Sequence, residues 1–412
     1  MNLTVPIKIK FTKILNYLII AYAFCLPLSK AGISLFGAFL ILVWLFEANF
    51  RKKYNEIKRI KLFLTLFAFL TFSTLAVIWS SDTLYALDYI KKYWHFLVMV
   101  VIYTSLQKKY IKHIFTTFLL GMLISEIVSY GIFFEIWTKE GVSPHDPSPF
   151  LDHTSYSVLL AFTAFILIYK IILTQNLPWR VFYTLYFLTA ISNMFINGGR
   201  TGQVIFFVGL VFIGFSHVKN KIKASFLIII STAIFGVTAY TLSPTFQTRF
   251  DYTIYDIQKM VTQKDFTGSL SARIVLWKIG TENFLHSPII GTGIGDEAKY
   301  SQEDLLKFKL DYFVNSNGTF YYVDYHNAFV QYLVQLGIVG FILFLMIFYY
   351  LSRLKIESQP YHDLLKLFII LYILWSMVGL SFHINSSMVF FALFGAIFLK
   401  VFSLEESTAK KV

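Results

Sequence analysis

The chain has little of what soluble and secreted proteins are built on. Its 412 residues include one cysteine, Cys25, which excludes an internal disulfide and a cysteine-based metal cluster, and with them a secreted disulfide scaffold. Charged residues make up 14%, against about 25% in a typical soluble domain. No Walker motif is present, so ATP does not drive the process directly. No Asp-x-Asp pair is present either, of the kind metal-dependent sugar-nucleotide transferases use. What the chain does have is apolar mass: 57% hydrophobic residues, 45 Phe and 26 Tyr, and a mean hydropathy of +0.63. Apolarity on this scale excludes a soluble enzyme and a disordered tail. It makes the membrane, rather than nucleic acid, the first partner to consider for a net charge of +13.

A helix needs roughly 20 apolar residues to cross the hydrocarbon. About twelve stretches qualify: 12–29, 31–48, 62–79, 93–106, 114–137, 153–173, 181–196, 203–217, 224–242, 327–351, 366–383 and 388–403. Open strands are unavailable inside lipid and the runs lack barrel alternation, so they read as helices. The fold class expected is an all-α polytopic membrane protein, with residues 1–242 carrying spans one to nine, 243–325 a mainly helical external loop, and 326–412 the last three spans and a tail. Lys8, Lys10 and Lys13 ahead of the first span, with Ala21 and Ala23, resemble a signal peptide, but Phe24, Cys25 and Leu26 continue the apolar run. The segment is therefore read as retained, and Cys25 as a packed hydrophobe.

Lysine and arginine set the orientation. One set of segments holds Arg51, Lys52, Lys53, Lys58, Arg59 and Lys61, then Lys108, Lys109 and Lys112, then Lys219, Lys221 and Lys223, and finally Lys410 and Lys411. That side totals 23 basic against 6 acidic residues, a net of +17, and the rest of the chain 13 against 17, a net of −4. Both termini are placed in the cytoplasm and 243–325 on the far side. A loop of that length invites a functional role.

On the non-basic side, Arg200 lies in Asn197-Gly198-Gly199-Arg200-Thr201-Gly202-Gln203. Arginine beside hydrocarbon is costly and marks function, unless it merely snorkels from a helix end. The paired glycines would let backbone approach a ligand. Arg273 opens an expected helix and shares a face with Trp277 four residues on; an ordinary surface arginine is the competing reading. Guanidinium matches phosphate oxygens bidentately, so two arginines facing one pocket suit a pyrophosphate. His326, followed by Asn327, begins the tenth span and can accept a proton from a hydroxyl, although interfacial histidines are often structural. Gly337 and Gly340 have the small-residue spacing of close helix packing. Gly291-Thr292-Gly293-Ile294-Gly295 lacks a preceding strand and reads as a turn after the Arg273 helix, not a dinucleotide site. Asp152 and His153 line the same pocket or cap the sixth span. Glu126, in mid-span, is functional or pairs with a buried tyrosine or lysine. The seven tyrosines from Tyr252 to Tyr325, including Tyr312, Tyr321 and Tyr322, can stack on sugars or mark the interface.

The ordered set Gly-Gly-Arg200-Thr-Gly-Gln, Ser-x-Arg273-x-x-x-Trp277, His286-Ser-Pro288-x-x-Gly291-x-Gly293-x-Gly295, and His326-Asn327 followed by Gly337-Ile-Val-Gly340 resembles the bacterial O-antigen ligases and the related O-antigen polymerases. The resemblance implies a GT-C-like, metal-independent glycosyltransferase without cofactor in the inner membrane, with its active site facing the periplasm. The implied donor is an undecaprenyl-pyrophosphate-linked glycan and the implied acceptor a sugar hydroxyl of lipid A–core, with membrane lipid as surroundings and no nucleic acid. It gives Arg200 and Arg273 the pyrophosphate and His326 the acceptor hydroxyl, with Asp152, His153, Asn327 and Trp277 as further substrate-binding candidates. A polymerase that lengthens lipid-linked glycan and a protein O-oligosaccharyltransferase are the near alternatives. A lipid-linked glycan transporter is the remote one: transporters favour broken helices and dense intramembrane charge, whereas here the charged candidates collect at the outer surface.

Overall fold

A computed structural model describes residues 5–310 and 324–409. Tyr312, Tyr321 and Tyr322, with Lys410 and Lys411, lie outside the described residues. Helices α1 (Val5–Cys25), α2 (Lys30–Glu47), α3 (Phe50–Ile57), α4 (Lys61–Leu75), α5 (Thr83–Lys91), α6 (His95–Ser105) and α7 (Lys108–Phe133) are followed by α8 (His153–Leu173), α9 (Leu177–Ile196), α10 (Arg200–His217) and α11 (Lys221–Leu242). Then come α12 (Pro244–Gln263), α13 (Ser269–Phe284) and α14 (Glu297–Lys307), and finally α15 (Ala328–Ser352), α16 (Gln359–Ser376) and α17 (Asn385–Ala409). Among the described residues there is no strand, only two isolated bridges in the connection before α8.

All twelve apolar stretches overlap helix, but eight helices are long and apolar enough to cross a membrane: α2, α4 with its 3-10 continuation to Trp79, α7, α8, α10, α11, α15 and α17. The count of twelve is not reached on that criterion, for local reasons. The first helix is interrupted by Lys8, Lys10 and Lys13. The stretch 93–106 is divided between a 3-10 turn at Lys92–Trp94 and the 11-residue α6. Polar residues such as Arg180 and Asn193 dilute α9, as Asp363 and Lys366 dilute α16.

Helix starts follow local chemistry. Ser29, Asp152, Asn176, Asn220 and Ser243 each accept the backbone N–H of the residue three positions on, which satisfies one of the donors a helix start leaves open. Pro178 and Pro244 occupy first turns, where the missing N–H costs nothing.

Burial is uneven in a way water alone does not explain. Helix α17 is enclosed, and its Phe390 and Phe394 meet Phe162 with ring centroids 5.0 and 4.8 Å apart in edge-to-face geometry. On α11, by contrast, Phe226, Ile229, Ile234 and Val237 are exposed. Apolar surface of that extent fits a lipid-facing position.

Helix α15 is not continuous. Gly337 has φ 62° and ψ −167°, about 15 Å along the helix. The turn 288–293 fills the gap. Thr292 N–H donates to Val334 O at 2.9 Å and Gly293 N–H to Gln335 O at 3.2 Å, while Ile338 N–H donates to Pro288 O at 2.9 Å and Val339 N–H to Ile289 O at 3.3 Å. Irregular backbone at membrane depth is tolerated when protein groups satisfy it. Gly291 and Gly293 reach the groove through φ of 82° and 104°, values natural only to glycine. The turn expected at 291–295 is thus present. Gly337 serves this splice and not the helix-to-helix packing that its spacing with Gly340 suggested.

Candidate functional site

Arg200 is the first residue of α10. Its approach is set by close contact of α10 with α8: a side chain on Gly199 or Gly202 would run into the backbone of His153 or Ser157, and Gly202 N–H donates to Ser157 Oγ at 3.1 Å. The close approach expected of these glycines is therefore to a neighbouring helix. Arg200 Nη1 donates to Thr253 Oγ1 of α12 at 2.7 Å, and Nη2 to Ser269 Oγ at the start of α13 at 3.4 Å. Ser269 and Arg273 are one turn apart on the same face of α13, and the charge on Arg273 acts on Arg200, although Arg273 itself is not among the residues that line the cavity described next.

Asp256 of α12 holds this arrangement together. Its carboxylate accepts Leu270 N–H at 2.7 Å, Ser271 N–H at 3.3 Å and the Ser271 hydroxyl at 2.5 Å, and so caps α13 from another helix. A cavity of about 300 Å3 opens beside it, lined by Arg200, Arg249, Thr253, Lys259 and Ser269. Lys259 is paired with Asp265 at 2.6 Å. Arg200 and Arg249 form no ion pair among the described residues, so neither positive charge is matched by a carboxylate, although the Arg200 fork already donates to Thr253 and Ser269.

Asp152 is a helix cap, its Oδ1 accepting Ser155 N–H at 2.9 Å. His153 reaches the site indirectly, with Nδ1 3.0 Å from Asp146 Oδ2, and Asp146 Oδ1 accepts Gly198 N–H at 3.0 Å. Burial pushes the Asp146 carboxyl upward, but His153 and the Gly198 amide outweigh it and hold the group below its ordinary value. Arg249 faces the same glycine. Asp146, Arg249 and Asp256 are absent from the sequence reading, because none stands in a recognisable motif.

On the other side of Arg273, burial lowers the guanidinium pKa and Asp324 opposes it. Asp324 Oδ1 accepts His326 N–H at 2.7 Å, and Oδ2 lies 3.5 Å from His326 Nδ1. His326 has φ 49°, an uncommon conformation for a residue with a side chain. Its ring is 44% exposed, and Nε2 has no protein partner among the described residues. Neighbours hold this geometry: Tyr325 N–H donates to Gln331 Oε1 at 3.1 Å, and the Trp277 indole N–H donates to Tyr325 O at 3.1 Å. Trp277 is thus a brace for the His326 turn. Asn327 is the N-cap of α15, accepting Phe329 N–H at 2.9 Å and Val330 N–H at 3.2 Å, so its amide oxygen is occupied. His383, whose Nε2 is 2.9 Å from Lys92 Nζ, also lies within the Asp324 field. Glu126 belongs to a different region, buried in α7 beside Thr189 of α9.

The assembled features define a many-helix membrane-type protein with a cationic, hydrogen-bonding pocket and an adjacent Asp-His pair where polar helices meet the apolar bundle. Residues 185–345 match the family described as O-Antigen ligase, whose members have ligase- or polymerase-type activity in lipopolysaccharide biosynthesis. The matched stretch takes in Arg200, Arg249, Arg273 and His326. No curated protein matches the chain.

Proposed function

We propose that the protein is a lipid-donor glycosyltransferase of the O-antigen ligase type, with a GT-C-like arrangement of up to twelve spans and the segment 243–325 as a cap on the periplasmic face of the inner membrane. Its donor is a glycan on undecaprenyl pyrophosphate and its acceptor a sugar hydroxyl of lipid A–core. The observation that carries this reading is a cavity lined by Arg200 and Arg249 at the start of α13, the helix whose Arg273 lies in the field of Asp324, the partner of His326.

The arginines bind the pyrophosphate and stabilise the charge that develops as it leaves. Asp324 orients the imidazole, and His326 Nε2 takes the proton from the acceptor hydroxyl. The hydroxyl oxygen forms the new bond to the anomeric carbon. The carbon–oxygen bond to pyrophosphate breaks with its electrons going to the leaving group, and the centre inverts. The donor is already activated, in keeping with a chain that has no nucleotide motif.

The test is purified full-length protein with undecaprenyl-pyrophosphate glycan and lipid A–core, resolved on a gel. Glycan on the acceptor is expected, and His326→Ala should abolish it. Longer lipid-linked glycan with an unmodified acceptor would instead identify a polymerase.

A further inference from the structure

A second cavity is remote from Arg200 and His326. It offers about 1470 Å3 among the ends of α3, α4, α6, α15 and α17. Helix α15 connects the two regions: Asn327 caps one end and Arg353 the other. The cavity therefore lies at the opposite end of α15 from His326.

Six cations line it, Arg51, Lys52, Arg59, Lys61, Arg353 and Lys400, against two carboxylates, Glu56 and Glu406. Lys52 is 3.8 Å from Glu56. Arg51, Arg59, Lys61, Arg353 and Lys400 form no ion pair among the described residues. The cavity thus holds more positive than negative charge, carried by α3, α4, the end of α15 and α17 and by the α3–α4 connection.

The rim has lipid character. Helix α3 places Phe50, Tyr54 and Ile57 on one face, and Phe50 and Tyr54 are exposed, as is Phe46 at the end of α2. The helix is anchored by Lys53, which pairs with Glu47 at 2.9 Å and donates to Trp44 O at 2.9 Å. A short anchored helix that exposes Phe50 and Tyr54, packs Ile57 against the core and turns Arg51 and Lys52 to the cavity has the form of an interfacial element.

We infer that this cavity is a binding site for the phosphate-bearing headgroup of an anionic phospholipid, with the acyl chains lying against the apolar rim of α2 and α3. A soluble phosphate or pyrophosphate shares the headgroup chemistry but has no use for that rim. Basic pockets between helix ends are suited to such headgroups.

The test uses purified, delipidated full-length protein titrated with dioleoyl phosphatidylglycerol, dioleoyl phosphatidylcholine or inorganic pyrophosphate and read by native mass spectrometry. Phosphatidylglycerol should bind and phosphatidylcholine should not at the same concentration. The double variant Arg59→Gln with Arg353→Gln, both exposed positions, should weaken phosphatidylglycerol by at least about tenfold. A control pair at the start of α11, Lys219→Gln with Lys223→Gln, should leave it unchanged. If the double variant does not fold, Arg59→Gln alone should weaken binding severalfold. Equal binding by the cavity variants, equal loss in the control pair, or pyrophosphate competing as well as the lipid binds would each overturn the proposal.

Discussion

Asp324 holds His326 from two directions: one carboxylate oxygen takes its backbone N–H at 2.7 Å and the other lies 3.5 Å from the ring Nδ1. The same acidic group acts on Arg273, so it links the cationic side of the pocket to the imidazole. It is a positioning residue, and its removal should be felt in turnover more than in donor binding. His326→Ala is expected to lower kcat by about 10²–10⁴, the usual contribution of a positioned acid or base. Asp324→Asn should lower it by less while leaving the donor KM near its starting value. Single-turnover transfer by purified protein measures both, and an unchanged kcat in His326→Ala would remove the imidazole from the reaction.

The arginines should separate by geometry as well as charge. Arg200→Lys and Arg273→Lys keep the charge but lose the planar fork, and each is expected to reduce kcat/KM by roughly 10- to 100-fold, the range for charged hydrogen bonds. Arg249→Ala should raise the donor KM, since Arg249 lines the same cavity without a carboxylate partner. Steady-state kinetics over a donor titration gives all three.

Gly337→Ala should destabilise the fold without touching the chemistry. The backbone there is left-handed at φ 62° and a side chain would meet the Ile289 carbonyl. A cost of about 1–3 kcal/mol is expected for an L-residue held in such a region, seen as a lowered Tm in detergent. A Tm equal to that of the parent would mean that turn 288–293 gives way easily.

Glu297 confers a pH dependence on the cap. Its carboxyl is buried by the packing of α14 on α15 and accepts from Gln331 Nε2 at 2.6 Å and from Gln335. Burial raises its pKa to about 7, the hydrogen bonds opposing. Because the folded value lies above the unfolded one, this group favours the folded state most at pH below about 4.5, and that contribution is lost as pH rises through about 7. Glu297→Gln should flatten the Tm profile between pH 5 and pH 8, approximately the window of that titration, and raise Tm at its alkaline end. A profile as steep as the parent's would place the titration elsewhere.

Helix positions were legible because apolar runs and caps are local properties: Asp152 announces α8 in the sequence itself. Their number as spans was less so, since a few lysines or a 3-10 turn decide whether a run such as 93–106 is one helix or two pieces. Arg200, Arg273 and His326 stood out through the motifs around them, and the fold sets Arg200 near Arg273 and Arg273 near the Asp324–His326 pair. Arg249, Asp146 and Asp256 did not, because their meaning depends on contacts 52 positions away for Asp146 and 14 for Asp256. Asn327 and Trp277 sit where the motif placed them, yet their polar groups are occupied by a helix start and a backbone carbonyl. The break at Gly337 was invisible for the same reason, since its partners come from another segment.

That break also makes one helix depend on another segment for its continuity. Four backbone hydrogen bonds join α15 to residues 288–293. The segment 243–325 thus supplies part of the hydrogen bonding of the helix that follows His326. Shortening or deleting the cap would therefore not trim an accessory; it would leave α15 without the scaffold on which its second half is laid.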